Sequence, residues 1–152
     1  MSAPTIPGIT WRASQTEHPA RLAAWRSMAA VVRGARDEWV ALFVEDGVVE
    51  DPVGPSMFDP DGRGHHGRLA IAAFWDASIA MVERFQFTIT DSFAAGSECA
   101  NVGTITTFLP GGMRVDTEGV FVYRAAADGQ IASMRAFWET ERAAATLRGV
   151  DD

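Results

Sequence analysis

Lysine is missing altogether from the 152 residues, so all 13 basic side chains are arginine. A Schiff base to a carbonyl substrate, or any other lysine nucleophile, is thereby excluded. Cysteine is nearly missing as well. Cys99 alone cannot close an internal disulfide or build a cysteine-rich zinc site, and a reducing, cytoplasmic setting is the simplest expectation. No histidine lies near it in sequence and nothing there lowers its pKa, so it is not expected to act as a nucleophile. Positive charge is also scarce: the net charge is -7 with no basic run, which argues against nucleic acid as a partner. No apolar stretch approaches the ~18 residues of a membrane span. Met1 to Thr10 lacks the basic start and apolar run of a secretory signal. Gly62, Gly64 and Gly67 do not follow a strand with the spacing of a dinucleotide or phosphate loop, so no cofactor is expected.

What is present is ordinary globular material, 47% hydrophobic and 22% charged, enough to bury roughly two thirds of the unfolded chain's surface. Leu22, Trp25, Ala29 and Val32 recur at helical spacing and predict a helix from His18 to Arg33 that Gly34 interrupts. A second helix is expected over Ala35–Val44, with Asp37 and Glu38 in its first turn where the dipole favours acids. Gly47–Asp51 is short, β-branched and closed by Pro52, which biases Asp51 to an extended backbone and predicts a strand ending there. Residues 53–67 are dense in turn formers and form a candidate lid. Ile71, Phe74, Trp75, Ile79 and Val82 predict a third helix from Arg68 to about Glu83.

The period then changes to two. Strands are expected over Arg84–Phe93, Cys99–Leu109, Met113–Ala125 and Gln130–Glu139, the last three as a meander. Helices first and strands afterwards indicate an α+β domain: three N-terminal helices on a strongly curved, mostly antiparallel sheet, cone-shaped, with a wedge of space at one end. The domain is expected over 15–145, with a loose arm at 1–14 anchored by Trp11 and a tail at 146–152.

Asp51 has two readings, a solvated aspartate before a proline turn or a carboxylate at the mouth of an apolar pocket, where its raised pKa suits it to accept protons. Glu50 must face the other side of the strand. Adjacent His65 and His66 suggest a metal, but neighbouring loop residues rarely aim both rings at one ion and no further histidine cluster completes a site, so no metal is expected. One of them is expected to cap the third helix or rim the pocket. Met81, Met113, Met134, Phe85, Phe87 and Phe108 are read either as adaptable pocket walls or as core.

Val49-Glu50-Asp51-Pro52-Val53-Gly54, His66-Gly67-Arg68 opening a helix with Ile71 and Phe74, and Gly129-Gln130-Ile131 through Met134-Arg135-Ala136-Phe137-Trp138 together carry a resemblance. In that order and spacing the chain resembles the ketosteroid isomerases of the nuclear transport factor 2-like (SnoaL-like) superfamily, from about Arg21 to Glu139, with a longer loop at 55–64. The resemblance implies Asp51 as the base that moves a proton beside a ketone, in a pocket for a steroid or polyketide-like ligand lined by Trp138, Phe121, Met134, Phe74, Val53 and His66. It also implies a homodimer. The family's two oxyanion donors, a tyrosine and a protonated aspartate, fall at Ser27 and Phe121. Tyr123 and Ser27 are the candidate substitute donors. Against these roles stand plainer ones: an edge-buried tyrosine, a helix serine bonded to its own backbone, and core packing for Trp138. A binding protein without turnover, and a polyketide cyclase or dehydratase, remain open beside the isomerase.

Overall fold

The computed structural model describes residues 6–151. Its elements run β1 (Ile9–Trp11), α1 (Pro19–Val32), α2 (Arg36–Ala41), β2 (Phe43–Glu50), β3 (His65–His66), α3 (Arg68–Ala77), β4 (Arg84–Ala95), β5 (Glu98–Leu109), β6 (Met113–Ala125), β7 (Ile131–Phe137), α4 (Thr140–Ala144) and β8 (Arg148–Gly149). The long strands form one sheet in the order β1-β4-β5-β6-β7-β2-β3, with β8 on the free flank of β6. Neighbours pair antiparallel except β1 with β4 and β2 with β7. This is the expected α+β architecture, a curved and unclosed sheet carrying helices, and no helix among the described residues is long and apolar enough to cross a membrane.

The arm expected over 1–14 has more structure than its composition suggested. Residues 1–5 lie outside the described residues, but Ile9–Trp11 aligns with Phe87–Ile89 as a parallel edge strand, because Ile9 buries its side chain against the core. The expected tail also contributes, Arg148 and Gly149 pairing with Arg114 and Met113. Strand β2 begins at Phe43, earlier than the β-branched run indicates. The second helix stops correspondingly at Ala41, because Phe43 aligns with Ile131 and is fully buried; the register then shifts before Val48. The third helix ends at Ala77 and gives way to a 3-10 turn over Ile79–Met81, which the continuous apolar spacing did not distinguish.

Helix α1 lies across β4, β5 and β6 and buries an alanine-rich face with Met28 and Ser27. His18 caps it: Nδ1 accepts from the Ala20 amide at 3.1 Å, while Nε2 donates to the Gly96 carbonyl at 2.9 Å. The two bonds fix one neutral tautomer and tie the helix start to the β4–β5 turn. Gly103 and Gly119 stand opposite each other on β5 and β6. A Cβ on Gly103 would meet the Thr88 carbonyl at 2.2 Å, and one on Gly119 the Phe137 carbonyl at 2.3 Å. The pair, beside the register shift between Ile89 and Asp91, is the crease along which the sheet bends around α1.

Candidate active site

Strand parity places the site. On β6, Phe121 and Tyr123 share the inward face; opposite them stand Asn101 and Cys99 on β5 and Ala136 and Met134 on β7. Tyr123 is the only tyrosine of the chain. Its hydroxyl lies 2.8 Å from Ser27 Oγ on α1, which in turn accepts from Trp39 Nε1 on α2 at 2.9 Å. All three are buried, Ser27 and Trp39 at 1% exposure each. With one proton to give and the indole filling one lone pair, Ser27 can donate to the Tyr123 oxygen, freeing the phenolic proton for a ligand. Burial pushes the Tyr123 hydroxyl well above its ordinary range, with the Asp51 charge adding to it and the Ser27 bond opposing. It stays a phenol at any physiological pH.

Asp51 follows the last residue of β2, at the cis peptide to Pro52, and borders the same cavity. Trp138 Nε1 donates to its Oδ1 at 2.6 Å. The other carboxylate oxygen has no protein donor among the described residues. Burial raises the carboxyl above its ordinary range, and the indole bond only partly offsets this. Glu50 faces away, its Oε2 held at 2.9 Å by Arg135 Nε. Gly119 serves the site too: its missing side chain lets the β7 end approach, a Cβ there lying 3.0 Å from that of Trp138.

The enclosed space measures about 60 Å³ and is bordered by Ser27, Asp51, Asn101, Phe121, Tyr123 and Met134, with Phe85, Phe87, Ile79 and further apolar groups around them. Five expected site residues therefore converge here, and Trp138 reaches it through Asp51. Three expected ligand contacts are placed elsewhere. Phe74 is buried behind Trp39, centroids 6.4 Å apart, and against Phe58. Val53 is half-buried and its amide bonds the Ala136 carbonyl at 2.9 Å. His66 is exposed on β3, its Nε2 donating to the Arg63 carbonyl at 2.7 Å, and neither histidine caps α3, whose cap is Gly67. The loop after β2 is tied to itself, Asp59 accepting from the Gly64 amide at 2.7 Å. Among the described residues no three His, Cys, Asp or Glu converge as a metal would require.

Asn101 is the polar wall residue that sequence reasoning missed. It is 1% exposed; its Oδ1 accepts from Ser92 Oγ at 2.8 Å, and Nδ2 gives one hydrogen to the Phe121 carbonyl at 3.3 Å. The second amide hydrogen has no acceptor among the described residues. Its signal lay in the register: an asparagine inside a strand whose alternation points it inward, directly across from Phe121.

The chain is similar in sequence and fold to known proteins. A SnoaL-like domain model matches residues 24–134. A steroid Delta-isomerase from Nocardioides simplex is 31% identical over 118 residues, covering 78% of this chain and 88% of its own. The Delta 5-3-ketosteroid isomerase from Mycobacterium sp. superposes with TM-score 0.77 at 33% identity, covering 87% of this chain and 98% of its own. RV0760c from Mycobacterium tuberculosis, solved in complex with estradiol-17beta-hemisuccinate, gives TM-score 0.77 at 33% identity over 87% of this chain and 99% of its own. The chain belongs to the SnoaL-like domain family of the nuclear transport factor 2-like superfamily, among its ketosteroid isomerase-like proteins.

Proposed function

We propose that this protein isomerises a β,γ-unsaturated ketone of steroid type, with Asp51 as general base. One observation carries the reading: a carboxylate with a raised pKa and one uncommitted oxygen shares a buried cavity with a phenol at the end of a donor chain. The free oxygen of Asp51 takes a proton from the carbon between the ketone and the double bond. The electron pair left behind delocalises onto the ketone oxygen, giving a dienolate. Tyr123 donates to that oxygen, with its own oxygen bonded by Ser27 and Ser27 bonded by Trp39. Asp51 then returns the proton to the far end of the former double bond, and the conjugated ketone leaves with no net gain or loss of atoms.

Asn101 supplies the second donor through its unused amide hydrogen, the role for which Phe121 has no polar atom. Each such donor is worth on the order of 10²–10³ in rate. The cavity, at about 60 Å³, is smaller than the roughly 300–1,000 Å³ of ligand pockets, so substrate enters as half-buried Phe85 and Ile79 swing aside. The assay is direct. Conversion of a β,γ-unsaturated 3-ketosteroid to its conjugated isomer, followed by ultraviolet absorbance, is expected above buffer and is expected to vanish in Asp51→Asn; an equally active Asp51→Asn refutes the mechanism.

The apolar Phe121, where an isomerase of this kind carries a proton donor, favours a second reading, a protein that binds a steroid or polyketide-like ligand without turning it over. Saturable binding of a fluorescent phenolic steroid with no isomerisation selects it. In either case we propose a homodimer formed through the convex sheet face. Phe93, Ala100, Val122 and Val102, Val120, Phe137 lie in two adjacent rows there, with Phe93 64% and Phe137 44% exposed.

A further inference from the structure

An apolar recess lies away from Asp51, on the outer side of α1. It measures about 530 Å³, within the range of small-molecule sites, against about 60 Å³ inside the sheet. Leu22, Trp25 and Ala29 form its floor along α1, and Trp11 closes one side, its ring edge-on to Trp25 with centroids 6.0 Å apart.

Its charge is opposite to that of the molecule. The chain carries 20 acidic and 13 basic side chains, yet Arg21, Arg26 and Arg33 border this recess and Glu38 is its one carboxylate, committed to Arg33 at 2.6 Å. Arg26 has no bonded partner among the described residues. Arg21 is the more telling group, 9% exposed and served only by neutral acceptors: Ser92 Oγ at 2.9 Å, the Thr16 carbonyl at 2.5 Å and the Ser92 carbonyl at 3.2 Å. No carboxylate pairs with it among the described residues. A guanidinium withdrawn from water without a counter-ion is costly, and two of its five N–H groups remain free to meet one.

We propose that this recess binds an amphiphilic anion, a free long-chain carboxylate whose head group neutralises Arg21 and whose alkyl chain lies over Leu22, Trp25 and Trp11. The site is separate from the one at Asp51 and stands whether or not that site turns over a steroid. Titration of the whole protein with decanoate below its micelle concentration, read by calorimetry and by tryptophan fluorescence, is expected to saturate at one equivalent. 1-Decanol and decyltrimethylammonium are expected to bind about ten-fold more weakly or not at all, because neither supplies the counter-charge.

Arg21→Met keeps the volume and removes the charge, and is expected to weaken decanoate about ten-fold. Should that variant fail to fold by circular dichroism, Leu22→Glu, which puts a like charge in the floor and leaves the Arg21 bonds alone, is expected to give the same loss. Decanol binding as tightly as decanoate, a folded variant binding decanoate as well as the wild type, or competition between decanoate and the phenolic steroid would each overturn the proposal. So would a concentration-dependent dimer that Leu22→Glu dissociates, since a second copy would then cover the recess.

Discussion

The carboxylate of Asp51 and the phenol of Tyr123 answer to burial in the same direction but with different consequences. For Asp51 the folded pKa lies above the ordinary 3.8. Its charged form is therefore disfavoured by the fold, and the sign of the linkage follows: the acid stabilises the native state relative to the carboxylate, and that contribution is lost as pH rises through the folded pKa. Asp51→Asn is expected to be more stable than the wild type at neutral pH, by chemical denaturation, with the gap closing as pH falls below the unfolded value. Activity runs the other way. kcat/KM is expected to rise with pH as Asp51 ionises, with a midpoint above 3.8. Trp138→Phe, which deletes the one bond that favours the charged form, is expected to move that midpoint upward. Tyr123 stays protonated in this range, so the role proposed for it is a donated hydrogen bond. Tyr123→Phe is expected to lower kcat by on the order of 10²–10³ with a smaller change in KM, since the bond strengthens as charge builds on the ketone oxygen.

The bend of the sheet rests on two residues without side chains. Gly103→Ala would set a methyl 2.2 Å from the Thr88 carbonyl, and backbone on a neighbouring strand cannot retreat as a side chain can. A loss of about 1–3 kcal/mol by thermal or denaturant unfolding is the expected outcome. Such a crease also marks where sequence was informative and where it was not. Strands β4 to β7 were legible because their alternation is long and their turns carry Gly96, Gly111, Gly112 and Gly129, all with positive φ. Helix α1 was legible from its apolar spacing. What escaped was structure made by distant partners: β1 is three residues whose pairing with β4 is decided 78 positions away, as in Ile9 with Phe87. The same holds for the site. Asp51 stood out through its proline context, and Tyr123 through strand parity. The meeting of Tyr123 with Ser27 joins residues 96 apart, and the pairing of Trp138 with Asp51 joins residues 87 apart. No local pattern encodes such meetings, and Asn101 went unnoticed because its importance comes from facing Phe121 across a strand boundary.

At the scale of the whole molecule two apolar surfaces matter among the described residues, the recess outside α1 and the convex rows containing Phe93 and Phe137. The proposed dimer uses the convex rows, because the concave face is filled by α1. Sedimentation velocity is expected to report a dimer, and Val122→Glu, which puts a charge in the middle of the rows opposite Ala100 and Arg135, is expected to shift it to monomer without loss of secondary structure. The solitary tyrosine gives the whole molecule one more property. A protein grown on fluorotyrosine carries a single fluorine nucleus, seated at Tyr123 between Ser27 and the cavity. Every change in its resonance then reports the surroundings of one ring, so that ligand entry and the protonation of Asp51 are read on a spectrum with one line.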